Sequence, residues 1–203
     1  TALNGPLLDL EKRILHKMPE IEHWFRTKWL EHSAPFYASV DLRNSGFKLA
    51  PVDINLFPAG FNNLNPDFLS LSVQAAMVAV EKVCPQAHRL LIIPENHSRN
   101  TFYLRNIVNL SNILKAAGLN VRIGSVSPEV TEATTLDLPD GYSLLLEPLV
   151  REGNRIKLKH AELGDFDSCA ILLNNDLSGG VPDILKNLEQ DLIPPLHAGW
   201  QTR

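Results

Sequence analysis

The sequence predicts an α/β fold, a mostly parallel open sheet flanked by helices and preceded by an amino-terminal helical arm. Three observations predict it. From Phe36 onward, short apolar segments ending in polar residues alternate with longer helical stretches, the pattern of layered α/β proteins. Residues Arg89 to Gly124 read as one complete strand-helix-strand unit, which requires parallel strands. Before Phe36 the periodicity is helical instead, with Ile14, Met18, Ile21, Phe25 and Trp29 recurring at three- and four-residue steps.

Taken in order, residues 1–35 form the expected arm. Pro19 falls inside its pattern, where a proline is tolerated only in a first turn, so two helices meeting near Met18 are expected. His16, His23 and His32 lie in this arm, but no pair has the i, i+4 spacing of a zinc-binding helix, so they read as solvated or packed side chains. Residues 36–203 form the second domain. Tyr37 to Val40 is its first strand candidate. Asp67 to Val83 is a helix apolar almost all round, hence expected to be heavily buried. Arg89 to Ile93 is an interior strand. The helix marked by Tyr103, Ile107, Leu110, Leu114 and Ala117 ends at Gly118, and Val121 to Gly124 follows as a strand. Residues 125–140 read as a loop, Ser143 to Glu147 with Arg155 to Leu158 as a hairpin, and Ser168 to Leu173 as a buried strand. Pro182 is expected to open a helix running to about Asp191.

Composition narrows the function classes. Among 203 residues, 44% are hydrophobic and 21% charged, and the net charge is -4 with both signs interspersed. That is a globular balance without the basic footprint of a nucleic-acid or anionic-membrane binder. No apolar run approaches the roughly 20 residues that span a bilayer, and the first ten residues lack a secretory layout, so a cytoplasmic location is expected. Cys84 and Cys169, the two cysteines, form neither a disulfide framework nor a zinc set and are expected as small core residues.

Ligands of open parallel sheets bind beyond the carboxyl ends of the strands, where loop backbones and helix amino termini converge. Three polar clusters fall at such positions. The first comprises Asp41, Arg43, Lys48, Asp53 and Asn55, followed by the aromatic run Phe57 to Phe61 with Asn62 and Asn63. Asp41 and Arg43 share a face of an extended segment, so they can address one ligand or each other. A zwitterionic amino acid suits this set, its carboxylate on Arg43 or Lys48 and its ammonium on Asp41 or Asp53. The second is Glu95, His97, Arg99 and Asn100, between a strand and a helix, with Arg99 as a candidate carboxylate or phosphate clamp. Helix capping by Ser98 or Asn100 competes with that reading. The third is Asn174, Asn175 and Asp176, ahead of the Ser178-Gly179-Gly180 turn. No phosphate-binding P-loop, dinucleotide glycine pattern or nucleophile elbow is present, and no metal site is expected in this chain.

The strings VDLRNSGFKLAPVDINLFPAGFNNL (Val40 to Leu64), IPENHSRN (Ile93 to Asn100) and LLNNDLSGGVPDIL (Leu172 to Leu185), with the closing PPLHAGW, resemble the proteobacterial glutamate-cysteine ligase (gamma-glutamylcysteine synthetase) family, and they occur in family order across essentially the whole chain. The resemblance implies a pre-ATP-grasp, glutathione-synthetase-like fold. It also implies ATP-dependent ligation of glutamate to cysteine through an acyl-phosphate with magnesium, the first step of glutathione biosynthesis. Members of that family continue to about twice this length. The ATP-grasp residues for ATP and Mg2+ are therefore expected outside these 203 residues, the chain alone is expected to be catalytically silent, and a homo-oligomer is a possible assembly. The alternative is a non-catalytic α/β module that binds a small polar or amino-acid ligand.

Overall fold

A computed structural model describes residues 5–46, 48–86, 88–96 and 100–199. The chain divides into two compact units, Thr1–Leu56 and Phe57–Arg203. The first unit thus extends past the expected boundary at residue 35. Its extra part is a hairpin whose strands, among the described residues, pair with each other.

In the first unit, helix α1 (Pro6–Glu31) runs unbroken through Pro19. The expected break at Met18 does not occur: proline removes one hydrogen bond, and the turns on either side of it persist. Pro6 occupies the first turn, where its missing N–H costs nothing. None of the residues of α1 is buried. The hairpin joins β1 (Ser39–Asn44) to antiparallel β2 (Leu49–Asn55). The first strand therefore begins at Ser39 rather than Tyr37. Asp41 lies opposite Asp53 and Leu42 opposite Pro51, which leaves Val52 as a bulge. At the tip, Gly46 has φ 87°, and a Cβ there would sit 3.3 Å from the Pro6 ring, so both backbone and space call for glycine.

The second unit holds an eight-stranded mixed sheet. Its parallel part is β10 (Asp191–Ile193), β9 (Ala170–Asn174), β3 (Arg89–Pro94), β4 (Asn120–Ser125) and β6 (Ser143–Glu152), in that spatial order. Leu90 to Ile93 and Ile171 to Leu173 are buried without interruption, as expected of central parallel strands covered on both faces. Beyond β6 the pairing turns antiparallel, to β7 (Arg155–Leu158) and then β8 (Phe166–Asp167). The amino-terminal part of β6 also pairs with β5 (Thr134–Asp137). A strand thus stands inside the segment 125–140 that reads as loop, because Thr134 to Asp137 lie along β6. Arg122 of β4 ties this curled region together: it grips the buried carboxylate of Glu147 with two donors and gives a third to the Gly164 carbonyl at 2.8 Å.

Helices α2 (Leu69–Val83) and α3 (Thr101–Ala116) complete the unit. Helix α3 joins β3 to β4 and buries eight residues, ending where Gly118 takes φ 92°. The expected burial of α2 is not met: Val80 is its sole buried residue, and Leu69, Leu71, Met77 and Val78 are exposed. Apolarity all round is a sequence property, whereas burial needs a covering element on each face. The expected helix from Pro182 to Asp191 is also absent; a single turn, Asp183–Leu185, is followed by the strand β10. Arg151 explains this, since its Nη1 reaches the carbonyls of Asp183, Ile184 and Lys186, the last at 2.7 Å, and so satisfies acceptors that a helix would use. Cys84 and Cys169 are half-buried rather than core residues, because both lie just outside elements, after α2 and before β9.

Candidate functional site

The carboxyl ends of β3 and β9 lie side by side, Pro94 opposite Asn174. Parallel register therefore brings the second and third polar clusters together, although they are some 80 residues apart in sequence. Asn174 is buried, and a buried amide must find partners. Its Nδ2 donates to the Pro58 carbonyl at 2.8 Å, and its Oδ1 lies 3.0 Å from the Tyr103 hydroxyl and 3.4 Å from Asn106 Nδ2. The Tyr103 hydroxyl accepts the Glu95 N–H at 2.8 Å and donates to the Asn174 main-chain carbonyl at 2.7 Å. Asn106, also buried, accepts the Phe61 N–H at 2.9 Å. Three loops, after β3, after β9 and at Phe57 to Phe61, are thus clamped on one asparagine, with α3 as the base.

Asn175 works in the same way. Its Nδ2 donates to the Pro94 carbonyl at 3.2 Å, and its Oδ1 accepts the Leu177 N–H at 2.9 Å. That bond holds Leu177 at φ 55°, a left-handed conformation costing a non-glycine residue about 1–2 kcal/mol. Glu95 reaches across to accept the Asp176 N–H at 2.7 Å, and Asp176 accepts the Ser178 N–H at 2.8 Å. Asn100 caps α3, accepting the Tyr103 N–H at 3.1 Å, so the capping reading holds for it. Asn62 donates to Asn63 at 3.1 Å on the turn just after the Phe57 to Phe61 loop.

The remaining candidates of the first cluster stand on the hairpin. Asp41 and Asp53 are cross-strand neighbours, Arg43 lies opposite Ala50, Asn55 opposite Ser39, and Lys48 just precedes β2 with its carbonyl accepting the Ser45 N–H at 3.0 Å. All five side chains are exposed. Two carboxylates facing each other across a strand pair repel, an arrangement that a cation between them relieves. His97 and Arg99 lie outside the described residues.

Comparison with known proteins places this geometry. The family model described as glutamate-cysteine ligase (GshA) matches residues 11–203. The chain belongs to the glutamate-cysteine ligase family. A crystal structure from Methylobacillus flagellatus KT, of a protein provisionally named gamma-glutamylcysteine synthetase, is 71% identical with a TM-score of 0.86. The alignment covers 100% of this chain and 47% of that one, so the chain spans about half the length of that glutamate-cysteine ligase relative. No curated protein matches the sequence significantly. The clamp residues Glu95, Asn174 and Asn175 lie within strings that carried the resemblance to glutamate-cysteine ligases. Tyr103 and Asn106, which sequence reasoning left out of the site, are its base. The signal for Asn106 was there, an amide flanked by Leu104 and Ile107 on the apolar side of a helix, since such a group is buried only with partners.

Among the described residues no group of three or more His, Cys, Asp or Glu side chains is placed to hold a metal ion, and no helix is long and apolar enough to cross a membrane. A cleft of about 220 Å³ opens between α3, β4 and β6, lined in part by Ser111, Lys115 and Glu147, away from the clamp.

Proposed function

We propose that the protein takes part in ATP-dependent ligation of L-glutamate to L-cysteine, yielding gamma-glutamylcysteine, and that this chain supplies substrate-binding loops. The observation that carries the reading is the clamp at the ends of β3 and β9, in a chain of the glutamate-cysteine ligase family. Such a clamp fixes loop backbones before a ligand arrives, which lowers the entropy lost on binding.

The hairpin offers the complementary charges of an amino-acid site. Asp41 and Asp53 face each other and would accept a substrate ammonium, while Arg43 and Lys48 would hold a carboxylate. Asn55 belongs to the same hairpin; within the second unit, Asn62, Asn63 and Asp176 are polar groups of the loops around the clamp, and in sequence His97, Arg99 and Asn100 extend the second cluster. In our reading, ATP and Mg2+ are held by residues outside this chain, as an ATP-grasp portion would hold them, and this chain binds and orients the amino acids.

The test is a coupled assay of ADP release by the protein in its full natural length. Release is expected only with magnesium-ATP, glutamate and cysteine together. Arg43→Ala is expected to raise the KM for one amino acid about 10-fold or more, the worth of a charge-assisted hydrogen bond, with far less change in the KM for ATP. Release independent of either amino acid would reject the ligase reading and favour the binding module, and unchanged kinetics in the variant would remove Arg43 from the site.

A further inference from the structure

Helix α3 carries a second stripe besides the face that makes the clamp. Arg105, Val108, Asn112 and Lys115 recur at three- and four-residue steps and so share one side of the helix. Asn106, at the base of the clamp, lies about 100° round the helix from Arg105. The cleft of about 220 Å³ runs along this stripe: Val108, Asn112 and Lys115 form its helix wall, and Ser143, Leu144 and Leu145 the wall opposite. It opens because the strands part there. β6 pairs with β4 through Glu147 and Pro148, whereas Ser143 to Leu146 pair with β5.

A cation stands at each end of the stripe. Arg105 precedes Val108 by about one turn, and its guanidinium carbon lies 3.2 Å from the centre of the Tyr142 ring, the residue just before Ser143. Its Nη1 is buried with no hydrogen-bond partner, and among the described residues no carboxylate pairs with the group. Stacking on a ring offsets only part of the cost of drawing such a charge out of water. Nη1 alone of the three nitrogens is cut off in this way, so Nε and Nη2 remain open to an acceptor. At the other end Lys115 is exposed, again with no carboxylate partner among the described residues. Glu147, the acid that lines the cleft, is already held by Arg122.

We propose that this cleft binds an aliphatic dicarboxylate, one carboxylate on Arg105 and the other on Lys115, with the carbon chain along Val108, Leu144 and Leu145. The free edge of a guanidinium takes a carboxylate through two parallel N–H bonds, and the ammonium at the far end takes the second as a point charge. A cavity of about 150 Å³ admits benzene, so about 220 Å³ has room for roughly ten heavy atoms, the size of adipate. Ten residues of helix set Arg105 and Lys115 about 15 Å apart along the axis, near the length of an extended six-carbon diacid with a hydrogen bond at each end. Among the described residues the cleft offers no free carboxylate for an ammonium. Its ligand is therefore distinct from the amino acids of the ligase reading, and the two readings stand independently.

The test titrates the protein, in its full natural length and in low-salt buffer, with adipate, hexanoate and inorganic phosphate by calorimetry, and follows isotope-labelled valine and leucine methyl groups by NMR. Adipate should bind saturably, about 10-fold or more tighter than hexanoate, which has one carboxylate, and than phosphate, which has no chain. The methyl shifts should centre on Val108, Leu144 and Leu145. Arg105→Gln and Lys115→Gln should each weaken adipate about 10-fold. Equal affinity for hexanoate or phosphate, no saturable binding of adipate, shifts centred elsewhere, or variants that bind adipate as the wild type does would each overturn the proposal. So would binding by Asp140→Asn and not by the wild type, since that result makes Arg105 the partner of Asp140, whose side chain lies outside the described residues. The wild-type comparison of the three ligands, with its methyl map, decides even where Arg105→Gln folds poorly.

Discussion

Replacing Tyr103 by phenylalanine removes one oxygen and keeps the ring. That oxygen accepts the Glu95 N–H at 2.8 Å and donates to the Asn174 carbonyl at 2.7 Å, so two main-chain groups lose a partner at once. The Asn174 side chain keeps its bond to the Pro58 carbonyl, and the half-buried Glu95 can regain water. Asn174 is buried, so its carbonyl loses the hydroxyl out of easy reach of bulk water. One buried group left short of a partner costs about 1–3 kcal/mol and the second lost bond about 1 kcal/mol, giving roughly 2–4 kcal/mol in all. With a urea m-value of about 2–3 kcal/mol per M, the unfolding midpoint should drop by about 1 M. Asn174→Ala in the same cycle should show a coupling of about 1–2 kcal/mol with Tyr103→Phe, because each removes the other's partner. Urea titrations followed by fluorescence and circular dichroism measure both quantities. A midpoint shift below about 0.2 M, with additive single effects, would show that the hydroxyl does not hold the loops and would undo the account of the clamp.

Three further outcomes follow from other parts of the molecule. Arg122→Met strands the buried Glu147 carboxylate and should lower stability at pH 7 by about 3–5 kcal/mol, much of it regained in Arg122→Met/Glu147→Leu, as read from thermal melts. Gly124→Val should cost about 1–3 kcal/mol in denaturant unfolding, since even a Cβ at Gly124 would meet the Leu149 side chain, with Leu158 and Leu91 close behind. Glu152 is held down to about 2 from 4.5, chiefly by its hydrogen bond from Lys159 and then by that from Lys157. Its folded-state pKa lies below the unfolded value, so its contribution to stability is complete above about pH 4.5 and fades as pH falls toward 2. An NMR titration should show the depressed midpoint and its rise in Lys159→Met.

Much of the chain was legible before its structure. Short apolar runs at Arg89 to Ile93 and Ser168 to Leu173, with a helix ending at Gly118 between β3 and β4, are local signals of period and punctuation that depend only on neighbours in sequence. The polar strings at strand ends were equally visible, because amides and charges stand out against the apolar strands that precede them. Where local preference met a distant partner, the reading failed. Pro182 reads as a helix start until Arg151, 31 positions earlier, takes up the carbonyls. Thr134 to Asp137 reads as loop until β6 supplies a ladder. For the same reason, sequence alone placed Asn174 and Asn175 among ligand-binding groups, whereas the structure shows their amides engaged with Pro58, Tyr103, Asn106, Pro94 and Leu177.

The amino-acid sequence by itself determined the fold class, the family and the places along the chain where polar residues gather, since periodicity and motif strings are properties of near neighbours. Only the tertiary structure decided which polar groups bind one another and that Tyr103 and Asn106 are the base of the clamp. Parallel strand register made those decisions, because pairing β3 with β9 sets residues far apart in the chain at adjacent ends of the same sheet.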